Sequence, residues 1–469
     1  MAEQVDVVIL GTGTSGEDLG LRLASAGLDV VGIQDGLVGG ECAYWACIPS
    51  KMMIRAATLV QEARRLEGTA GEAHVQADWG PVAFRVRNEA AGGWDDAVAV
   101  ARFEKHGGRI VRGTGRLTGP RTVTVGDRDF IASRGVVVAT GSKPVTPSIP
   151  GRDVVSYWTT HDAIQSDRVP TSLTVLGGGA TGCEFAQVFA RFGAEVTIVE
   201  SGERLLGAEE PEASSVIAEA FEAEGISVRT SASAERVEAD GDALTLTLAG
   251  GERITAERLL VAVGRRIDLD DLGLDVAGID VSNGAIRVDE HCRAADGVWA
   301  IGDVTGKALF THVALYQGRI VEADIMGEDA PPANYTAVPR ATLTDPEVGG
   351  VGMTETDARA AGIDVVTTTK RVPATFRGWL HGPGNAGIVK LIADRRAGVL
   401  VGATAVGADG GEVLGLLSLA VHARVPIVQL QSMIYAFPTS YGAVGEALGA
   451  YARGLQDVLD PAGDRSLWA

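Results

Sequence analysis

The stretch VDVVILGTGTSG, residues 5–16, places a short apolar run directly before a glycine-rich turn. LGLRLASAG follows at 19–27 with apolar side chains at helical spacing, and a second apolar run, LDVVGI, comes next. This order predicts a βαβ unit. In such a unit Gly11 permits the tight turn, Gly13 lets the backbone approach a diphosphate, and Gly16 lets the helix pack closely on the strand. The stretch therefore predicts a dinucleotide-binding domain.

The same pattern returns later in the chain. LTVL at 173–176 precedes GGGATG, in which Gly177, Gly179 and Gly182 repeat the spacing of the first three glycines. Each copy follows an apolar run and opens a helical pattern, which is the context that this glycine spacing requires. The sequence thus predicts two dinucleotide-binding units.

A dinucleotide-binding unit usually carries an acidic residue about 20 positions after its glycines, for the ribose hydroxyls. The second copy has Glu200 there, whereas the first copy has Gln34, which can still accept a hydrogen bond. A carboxylate at Glu200 would repel a 2′-phosphate, so NAD(H) is favoured, while nearby Arg204 keeps NADP(H) open. Glu17 and Asp18, in the first helical turn, are expected to point outward, away from a diphosphate.

The chain has 469 residues, more than a single hydrophobic core usually serves, and 46% of them are hydrophobic. Its formal net charge of −20 would repel phosphate backbones and anionic lipid, and no Lys/Arg cluster offsets that charge. We therefore expect neither nucleic acid nor a membrane as a partner. The first residues show no basic segment with a cleavage site, so a cytoplasmic location is expected.

Sequence punctuation divides the chain into four segments. A linker that contains several prolines ends the first segment. The pattern of a strand followed by glycine recurs at LLVAVGRR and at GVWAIGDVTG, and a mixture of predicted strands and helices follows. We predict one nucleotide-binding domain at 1–150, a second at 151–270, a central segment completing the first site at 271–335, and a C-terminal domain at 336–469. The predicted fold class is α/β, with two Rossmann-like dinucleotide-binding domains plus a C-terminal α+β domain.

GGECAYWACIPSK, residues 39–51, places Cys42 and Cys47 five positions apart. Two cysteines at this separation can form a disulfide if the turn between them is distorted. Four cysteines are too few for a structural disulfide framework in a chain of this length. The close pair therefore indicates redox chemistry rather than two inert buried thiols, and Lys51 would stabilise a thiolate or a reduced flavin.

In this order the motifs resemble those of the FAD-dependent pyridine nucleotide-disulfide oxidoreductases, the family of dihydrolipoamide dehydrogenase, glutathione reductase and mercuric reductase. The matching stretches are GTGTSG, the cysteine motif, ATGS, GGGATGCE, VGRR, IGD and TDPEVGGVG, which together span nearly the whole chain. The resemblance implies FAD on the first glycine motif, NAD(H) or NADP(H) on the second, and a homodimer formed through the C-terminal domain. It also implies that Cys47 lies against the flavin and that Cys42 attacks a small-molecule substrate.

The resemblance assigns the site residue by residue, with no metal ligand among them. The predicted catalytic residues are Cys42, Cys47, Lys51 and Glu184. The predicted cofactor contacts are Gly11, Gly13, Gly16, Gln34, Lys51, Gly115, Thr140, Gly141, Ser142, Gly177, Gly179, Gly182, Glu200, Val237, Gly264, Asp303, Phe310, Thr311 and His312.

The chain departs from the family near its C-terminus. The family usually carries His-Pro-Thr with a glutamate three residues after the threonine, whereas AFPTSYGAVGEAL has Phe437 and Gly442 at those two positions. Phenylalanine cannot protonate a leaving thiolate, and a positioned general acid contributes about 100- to 10,000-fold in rate. We expect slow turnover of dihydrolipoamide. Tyr435 and Tyr441 flank the site; packing is the favoured interpretation of both, and donation of a proton is the alternative.

The remaining aromatic and cysteine residues distinguish this chain from some members of the family. Tyr44 and Trp45 stand between the two cysteines, where the family has smaller residues, and are expected to narrow the disulfide pocket. Cys183 and Cys292 form no second pair near the C-terminus, unlike the tail pair of mercuric reductases and large thioredoxin reductases. They are interpreted as incidental thiols.

Three functions remain in competition. The first is a flavoprotein reductase that passes electrons from NAD(P)H through FAD and the Cys42/Cys47 disulfide to a small disulfide. The second sends the electrons to a non-thiol acceptor, namely a quinone, oxygen or a metal ion. The third is a flavin electron-transfer module with little turnover of its own. The sequence does not identify the electron acceptor.

Overall fold

The computed structural model describes residues 2–452 and 457–458, and no helix in those residues is long and apolar enough to cross a membrane. The strands, in chain order, are β1 (Glu3–Leu10), β2 (Val30–Gln34), β3 (Arg109–Arg112), β4 (Gly115–Gly119), β5 (Thr122–Val125), β6 (Arg128–Val138), β7 (Lys143–Pro144), β8 (Ser172–Leu176), β9 (Glu195–Val199), β10 (Ser227–Arg229), β11 (Ala234–Asp240), β12 (Ala243–Leu248), β13 (Arg253–Ala256), β14 (Arg258–Val261), β15 (Arg265–Arg266), β16 (Val281–Ser282), β17 (Ala285–Ile286), β18 (Arg293–Ala295), β19 (Val298–Ala300), β20 (Pro339–Thr342), β21 (Glu347–Gly352), β22 (Val365–Arg371), β23 (Ile388–Asp394), β24 (Val399–Gly407) and β25 (Asp457–Val458).

The α-helices, in chain order, are α1 (Thr14–Ser25), α2 (Gly40–Tyr44), α3 (Cys47–Arg64), α4 (Trp79–Arg85), α5 (Ala97–Lys105), α6 (Thr160–Gln165), α7 (Ala180–Arg191), α8 (Pro211–Ala223), α9 (Thr311–Met326), α10 (Glu355–Ala360), α11 (Phe376–His381), α12 (Gly410–His422), α13 (Ile427–Ser432) and α14 (Gly442–Ala452). The mixture of helices and sheets confirms the predicted α/β fold class.

The chain forms two compact units. Unit 1 comprises residues 2–52, 83–145 and 264–335, and unit 2 comprises residues 53–82, 146–263 and the described residues from 336 onward. The division into four segments, with its three boundaries, stays a prediction.

Unit 1 is built on a sheet with the strand order β18-β19-β6-β1-β2-β3, in which β5 pairs with β6 and β4 with β5. The pairs β19/β6, β6/β1, β1/β2 and β2/β3 are parallel. Leu10 at the end of β1 lies opposite both Ile33 and Val138. Because the carboxyl ends of these strands coincide, the loops that follow them emerge at one edge of the sheet, which is where parallel α/β sheets bind ligands.

Alternate residues of β1 pack on opposite faces of this sheet, as the period of a strand requires. Val7 and Ile9 join a core with Leu19 of α1 and Phe103 of α5, whereas Val8 and Leu10 join a second core. These two apolar layers hold the sheet between them, so the loops at its edge stand on a rigid support.

Unit 2 contains a parallel sheet with the order β10-β9-β8-β14, an antiparallel sheet β11-β12-β13, and a six-stranded sheet β20-β21-β24-β23-β22-β25. In the first of these, Leu176 lies opposite Val199 and Val261, so the loops after β8, β9 and β14 also share one edge. The two parallel sheets repeat the same βαβ construction, which bears out the sequence prediction of two dinucleotide-binding folds.

One expectation about the first helix is wrong. Glu17 does not point outward: its residue is only 6% exposed, and its carboxylate accepts hydrogen bonds from the Arg102 guanidinium, with Nε at 3.1 Å. A buried carboxylate needs such a partner, and α5 supplies it across the helix pair. Asp18, by contrast, is partly exposed and pairs with Arg22 at 2.9 Å.

Candidate active site

A cavity of about 480 Å³ opens at the carboxyl edge of the unit 1 sheet. Loops after β1, β2, β6 and β19 line it, together with the cysteine segment and the start of α9. Eleven of the predicted site residues line this cavity: Gly11, Gly13, Gln34, Cys42, Cys47, Gly115, Thr140, Gly141, Ser142, Asp303 and Thr311. The fold thus brings together residues that are up to about 300 positions apart in the sequence.

The first glycine turn has the geometry that the sequence predicted. Gly11 adopts a φ of +92°, and a Cβ there would lie 2.5 Å from the Ala139 carbonyl oxygen. A Cβ on Gly16 would lie 2.0 Å from the Gly11 carbonyl oxygen, so any side chain would push α1 off the turn. A Cβ on Gly13 would meet no atom within 4 Å, which leaves room for a phosphate to approach the backbone.

Gln34 closes this turn from the end of β2. Its Oε1 accepts a hydrogen bond from the Thr12 backbone N–H at 2.6 Å and lies 3.2 Å from the Thr12 hydroxyl. The residue expected to reach a ribose hydroxyl therefore also holds the glycine turn in place. An amide oxygen is sufficient for this contact, because the donor is a neutral backbone N–H.

Cys42 and Cys47 form a disulfide, with their Cα atoms 4.7 Å apart. Cys42 lies in α2, which ends at Tyr44, and Cys47 begins α3, so the helix is interrupted between them. The break is the distorted turn that the sequence predicted. Sγ of Cys47 lies 3.5 Å from the Thr311 hydroxyl at the start of α9.

The two aromatic residues between the cysteines have different environments. Trp45 lines the cavity and stacks on Trp94, with 5.6 Å between the ring centroids. Tyr44 is buried, 8% exposed, and a Cβ on Gly39 would lie 3.2 Å from its ring. Only Trp45 therefore adds bulk at the cavity wall.

Five further predicted contacts of unit 1 do not line the cavity, Lys51 on α3 among them. Gly16 supports the glycine turn from within α1, and Gly264 adopts a φ of +111° before β15. Phe310 and His312 stack on each other, with centroids 5.1 Å apart, and His312 is exposed. The cofactor-contact roles of Phe310 and His312, and that of Lys51 on α3, stay predictions.

Arg265 and Glu41 are cavity residues that the sequence reading missed. Arg265 donates through Nε to the Ser142 hydroxyl at 2.8 Å and through Nη2 to the Ser142 carbonyl oxygen, and it pairs with the Glu41 carboxylate at 3.2 Å. The Ser142 hydroxyl in turn donates to the carboxylate of Asp303. The VGRR motif contains Arg265, but nothing in the motif identifies a partner 224 residues away.

The second glycine turn, in unit 2, repeats the first. Gly177 has a φ of +110°, a Cβ on Gly182 would lie 2.0 Å from the Gly177 carbonyl oxygen, and a Cβ on Gly179 would meet nothing within 4 Å. Glu200 closes the turn as Gln34 does in unit 1, because its Oε2 accepts from the Gly178 N–H at 2.6 Å. Its other oxygen accepts from the Gly202 N–H, also at 2.6 Å.

Two other predicted residues of unit 2 are buried. Glu184 lies in α7, 5% exposed, and its Oε1 accepts from the Leu343 backbone N–H at 2.8 Å. The Val237 side chain, 1% exposed, packs in an apolar core, and its backbone N–H donates to the Pro150 carbonyl oxygen at 3.0 Å. The site roles of both residues stay predictions.

The C-terminal segment presents aromatic side chains where the family carries its acid. Phe437 is 73% exposed and packs edge-on against Phe376, with 4.9 Å between the ring centroids. The hydroxyl of Tyr435 donates to the Leu430 carbonyl oxygen at 3.1 Å, and that of Tyr441 accepts from the Ala436 N–H at 2.9 Å. Both tyrosine hydroxyls therefore serve the local fold.

The two remaining cysteines have the properties of structural residues. Both are fully buried. Burial raises the pKa of the Cys292 thiol to about 11 and moves the pKa of the Cys183 thiol up as well. A thiol with a raised pKa is a poor nucleophile at neutral pH, in agreement with the interpretation of both as incidental.

These features define a class of protein: a flavoprotein with two dinucleotide-binding folds and a disulfide in the wall of its cofactor cavity. The family model for pyridine nucleotide-disulphide oxidoreductase matches residues 5–318, and the model for the dimerisation domain of that family matches residues 338–448. The chain is 32% identical over 466 residues to a dihydrolipoyl dehydrogenase of Zymomonas mobilis, covering 97% of this chain and all of that one. It is 31% identical over 446 residues to a mercuric reductase of Bacillus cereus, covering 92% of this chain and 69% of that one.

Solved structures agree with this assignment. The Cu(II) complex of the HOCl-induced flavoprotein disulfide reductase RclA from Escherichia coli has a TM-score of 0.84 at 26% identity, covering 96% of this chain and 99% of that one. LpdA from Mycobacterium tuberculosis gives a TM-score of 0.84 at 26% identity, covering 96% and 100%. The chain belongs to the pyridine nucleotide-disulphide oxidoreductase family. It is an FAD-dependent NAD(P)H:disulfide oxidoreductase.

The geometry of the first glycine turn fits FAD in the unit 1 cavity. Gly13 leaves its backbone open, no side chain caps the start of α1, and Gln34 and Asp303 provide oxygens toward the same space. When bound, FAD would supply two-electron transfer between the nicotinamide and the disulfide. The chain supplies the turn that holds the diphosphate, the residues that orient the cofactor, and the cysteine pair that receives the electrons.

Proposed function

We propose that this oxidoreductase reduces a low-molecular-weight disulfide whose thiol product leaves as a stabilised thiolate. The observation that carries the proposal is Phe437, an exposed phenylalanine at the position where the family has its general acid. Among the described residues of this segment, the Tyr435 and Tyr441 hydroxyls are held by backbone groups, and Glu446 pairs with Lys370 at 3.3 Å, so none of these three side chains replaces the acid. A substrate that needs no proton on its leaving group suits such a site.

The proposed reaction uses the cysteines in sequence. The Cys42 thiolate attacks the substrate disulfide, forms a mixed disulfide and releases the first thiolate. The Cys47 thiolate then attacks Cys42 sulfur, releases the second thiolate and restores the Cys42–Cys47 disulfide. Two electrons from one NADH regenerate the reduced cysteine pair, so one NADH converts one disulfide to two thiolates and releases one proton. Lys51 is proposed to stabilise the reduced flavin, and the catalytic role of Glu184 stays a proposal.

A series of disulfides with different leaving groups tests the proposal. A thiolate leaves faster when the pKa of its thiol is lower, and nitroaromatic thiols have lower pKa values than aliphatic ones. Nitroaromatic disulfides should therefore be reduced at least about 100-fold faster than cystine or lipoamide at equal concentration. The measurement is anaerobic NADH oxidation under steady state. Equal rates across the series would overturn the proposal.

Restoring the acid should change only the slow substrates. The double variant Phe437→His/Gly442→Glu should raise turnover of aliphatic disulfides by about tenfold or more and leave that of nitroaromatic disulfides unchanged. Phe376→His is the matched control, because it replaces the other ring of the same aromatic pair with an imidazole. A gain in the control as large as in the double variant would argue against a positioned acid.

A second candidate acceptor is Cu(II). The observation that favours it is the solved RclA structure described as a Cu(II) complex, together with a site that lacks the family's acid. If copper were the acceptor, NADH-dependent formation of Cu(I), followed with a Cu(I)-specific chelator, should exceed turnover of every disulfide tested. Cys42→Ser separates the two candidates, because it abolishes disulfide reduction, whereas full retention of Cu(II) turnover would show that electrons bypass the interchange thiol.

NADH is proposed as the preferred donor. Both oxygens of Glu200 are engaged by backbone N–H groups, and Arg204 donates to the carbonyl oxygens of Gly207 at 2.8 Å and Glu209 at 3.0 Å rather than standing ready for a 2′-phosphate. The ratio of kcat/KM for NADH and NADPH measures this preference, and a ratio favouring NADPH would contradict it.

The working form is proposed to be a cytoplasmic homodimer. The support is the match to the dimerisation domain over residues 338–448 and, for the location, the expectation drawn from the sequence. Light scattering of the purified FAD-loaded protein should give twice the mass of the 48.6 kDa chain, and a monomer mass would contradict the proposal.

A further inference from the structure

Glu41 stands immediately before the interchange cysteine, Cys42, in α2. Its side chain is 36% exposed, lines the same cavity as both cysteines, and pairs with Arg265 at 3.2 Å. The carboxylate therefore places a fixed negative charge one residue from the sulfur that attacks the substrate. Such a charge opposes formation of a thiolate unless an opposite charge offsets it.

Arg265 supplies the opposite charge from a fixed position. Its guanidinium is held by the hydroxyl and the carbonyl oxygen of Ser142, and the Ser142 hydroxyl is held by Asp303. A planar guanidinium with several partners has little freedom to move. The bonds thus form a continuous chain from Asp303, at one wall of the cavity, to the residue that precedes Cys42.

Other charged or titratable groups share this cavity and are accounted for. Lys143 pairs with Asp268 at 3.0 Å, and Cys47 contacts Thr311. Besides Cys42 itself, the charged or titratable residues that line the cavity are Asp35, Glu41, Cys47, Lys143, Arg265, Asp268, Asp270 and Asp303, with Lys51 one helical turn beyond Cys47 on α3. Glu41 is the member of this set that adjoins Cys42 in the chain.

We propose that Glu41 and Arg265 are positioning residues for Cys42, which hold its turn and keep the charge beside it balanced in the reduced enzyme. The proposal concerns the cysteine itself and holds for any disulfide acceptor. It does not depend on the leaving-group proposal, since the measurement below uses no disulfide substrate.

The test is the pH dependence of Cys42 alkylation in the FAD-loaded enzyme. The protein is reduced with one equivalent of NADH without oxygen, treated with iodoacetamide at pH values from about 5 to about 9, and Cys42 labelling is measured by mass spectrometry. Glu41→Gln leaves the Arg265 charge uncompensated, so the apparent pKa of alkylation should fall by about one unit. Arg265→Gln should raise it, and the double variant should return toward the wild-type value.

Two further variants keep the test decisive. Glu41→Asp retains the charge on a shorter side chain and should keep the wild-type pH profile. Glu3→Gln is the matched control, because Glu3 is 37% exposed and pairs with Arg128 at 3.2 Å far along the chain from the cysteines. An unmoved profile in Glu41→Gln, or a shift in Glu41→Asp as large as in Glu41→Gln, overturns the proposal. The visible flavin spectrum, recorded for every variant, confirms that FAD is bound.

Discussion

The two glycine turns, Gly11 to Gly16 in unit 1 and Gly177 to Gly182 in unit 2, have the same backbone construction and different closing side chains. Each turn is held by a side-chain oxygen, that of Gln34 in unit 1 and that of Glu200 in unit 2. This oxygen accepts a hydrogen bond at 2.6 Å from the backbone N–H of the second residue of the turn. The contact needs only an acceptor. The negative charge of Glu200 is therefore not required by the turn, and it is available to discriminate between nucleotides.

The largest expected effect comes from breaking both turns in the same way. Gly16→Ala and Gly182→Ala each place a Cβ 2.0 Å from a carbonyl oxygen of the turn, and overpacking of this kind costs about 1–3 kcal/mol. Gly16→Ala should yield protein without FAD. Gly182→Ala should keep FAD and lose at least about tenfold in kcat/KM for NADH. Flavin absorbance and steady-state kinetics measure the two outcomes.

Gly13→Ala and Gly179→Ala are the controls for this pair. A Cβ at either position meets no protein atom within 4 Å, so the melting temperature without cofactor should not change. Each cofactor should nevertheless bind more weakly, since the new methyl group occupies the space through which the diphosphate approaches. Full FAD content in Gly16→Ala would show that the turn tolerates a shift of α1.

An intermediate effect is expected when the two closing residues are exchanged. Glu200→Gln removes the charge that opposes a 2′-phosphate, so the preference for NADH over NADPH should fall by about tenfold. Gln34→Glu keeps an oxygen acceptor for the Thr12 N–H and should retain FAD. The ratio of kcat/KM for the two nucleotides and the flavin content report these outcomes. An unchanged ratio in Glu200→Gln would mean that the carboxylate acts on the turn alone.

The smallest effect is expected at the edge of the unit 2 sheet. Hydrogen bonds from Arg168, and then from Thr171, lower the pKa of Glu257 to about 2 from 4.5. A lowered pKa in the folded state stabilises the protein above the unfolded pKa, and that contribution disappears as the pH falls toward about 2. Glu257→Gln should therefore lower the melting temperature slightly at neutral pH. The difference from wild type should shrink as the pH drops below about 4.5, as thermal scans over a pH series would show. A difference that grows with acidity would contradict the assignment.

Much of the site was accessible from the sequence because its signals are local. The spacing of Gly11, Gly13 and Gly16 determines which of them faces a phosphate and which faces the helix, and the five-residue step from Cys42 to Cys47 determines that a disulfide can close. Arg265 and Glu41 were missed for the opposite reason. Each is an ordinary charged residue in its own segment, and only the fold places one beside the other.

The burial of Glu17 shows the same division. Its position in the first turn of α1 suggested that its side chain points outward. Arg102 of α5 instead packs against that turn and donates hydrogen bonds to the buried carboxylate. Local sequence does not specify which distant helix covers a given face. Such pairings depend on how apolar layers pack, and that packing is decided over the whole domain.

The sequence by itself determined the α/β class, the two glycine turns, the redox cysteine pair and the loss of the family's C-terminal acid, because each is carried by residues close together in the chain. The tertiary structure alone decided that Glu200 and Gln34 close their turns in the same way and that Arg265 pairs with Glu41, the residue before Cys42. These contacts join segments that are 22 and 224 residues apart. The Gln34 and Glu200 contacts exist because parallel strands end at a common edge and bring their loops together there. Arg265 reaches the unit 1 cavity because β15 pairs antiparallel with β7, next to Ser142.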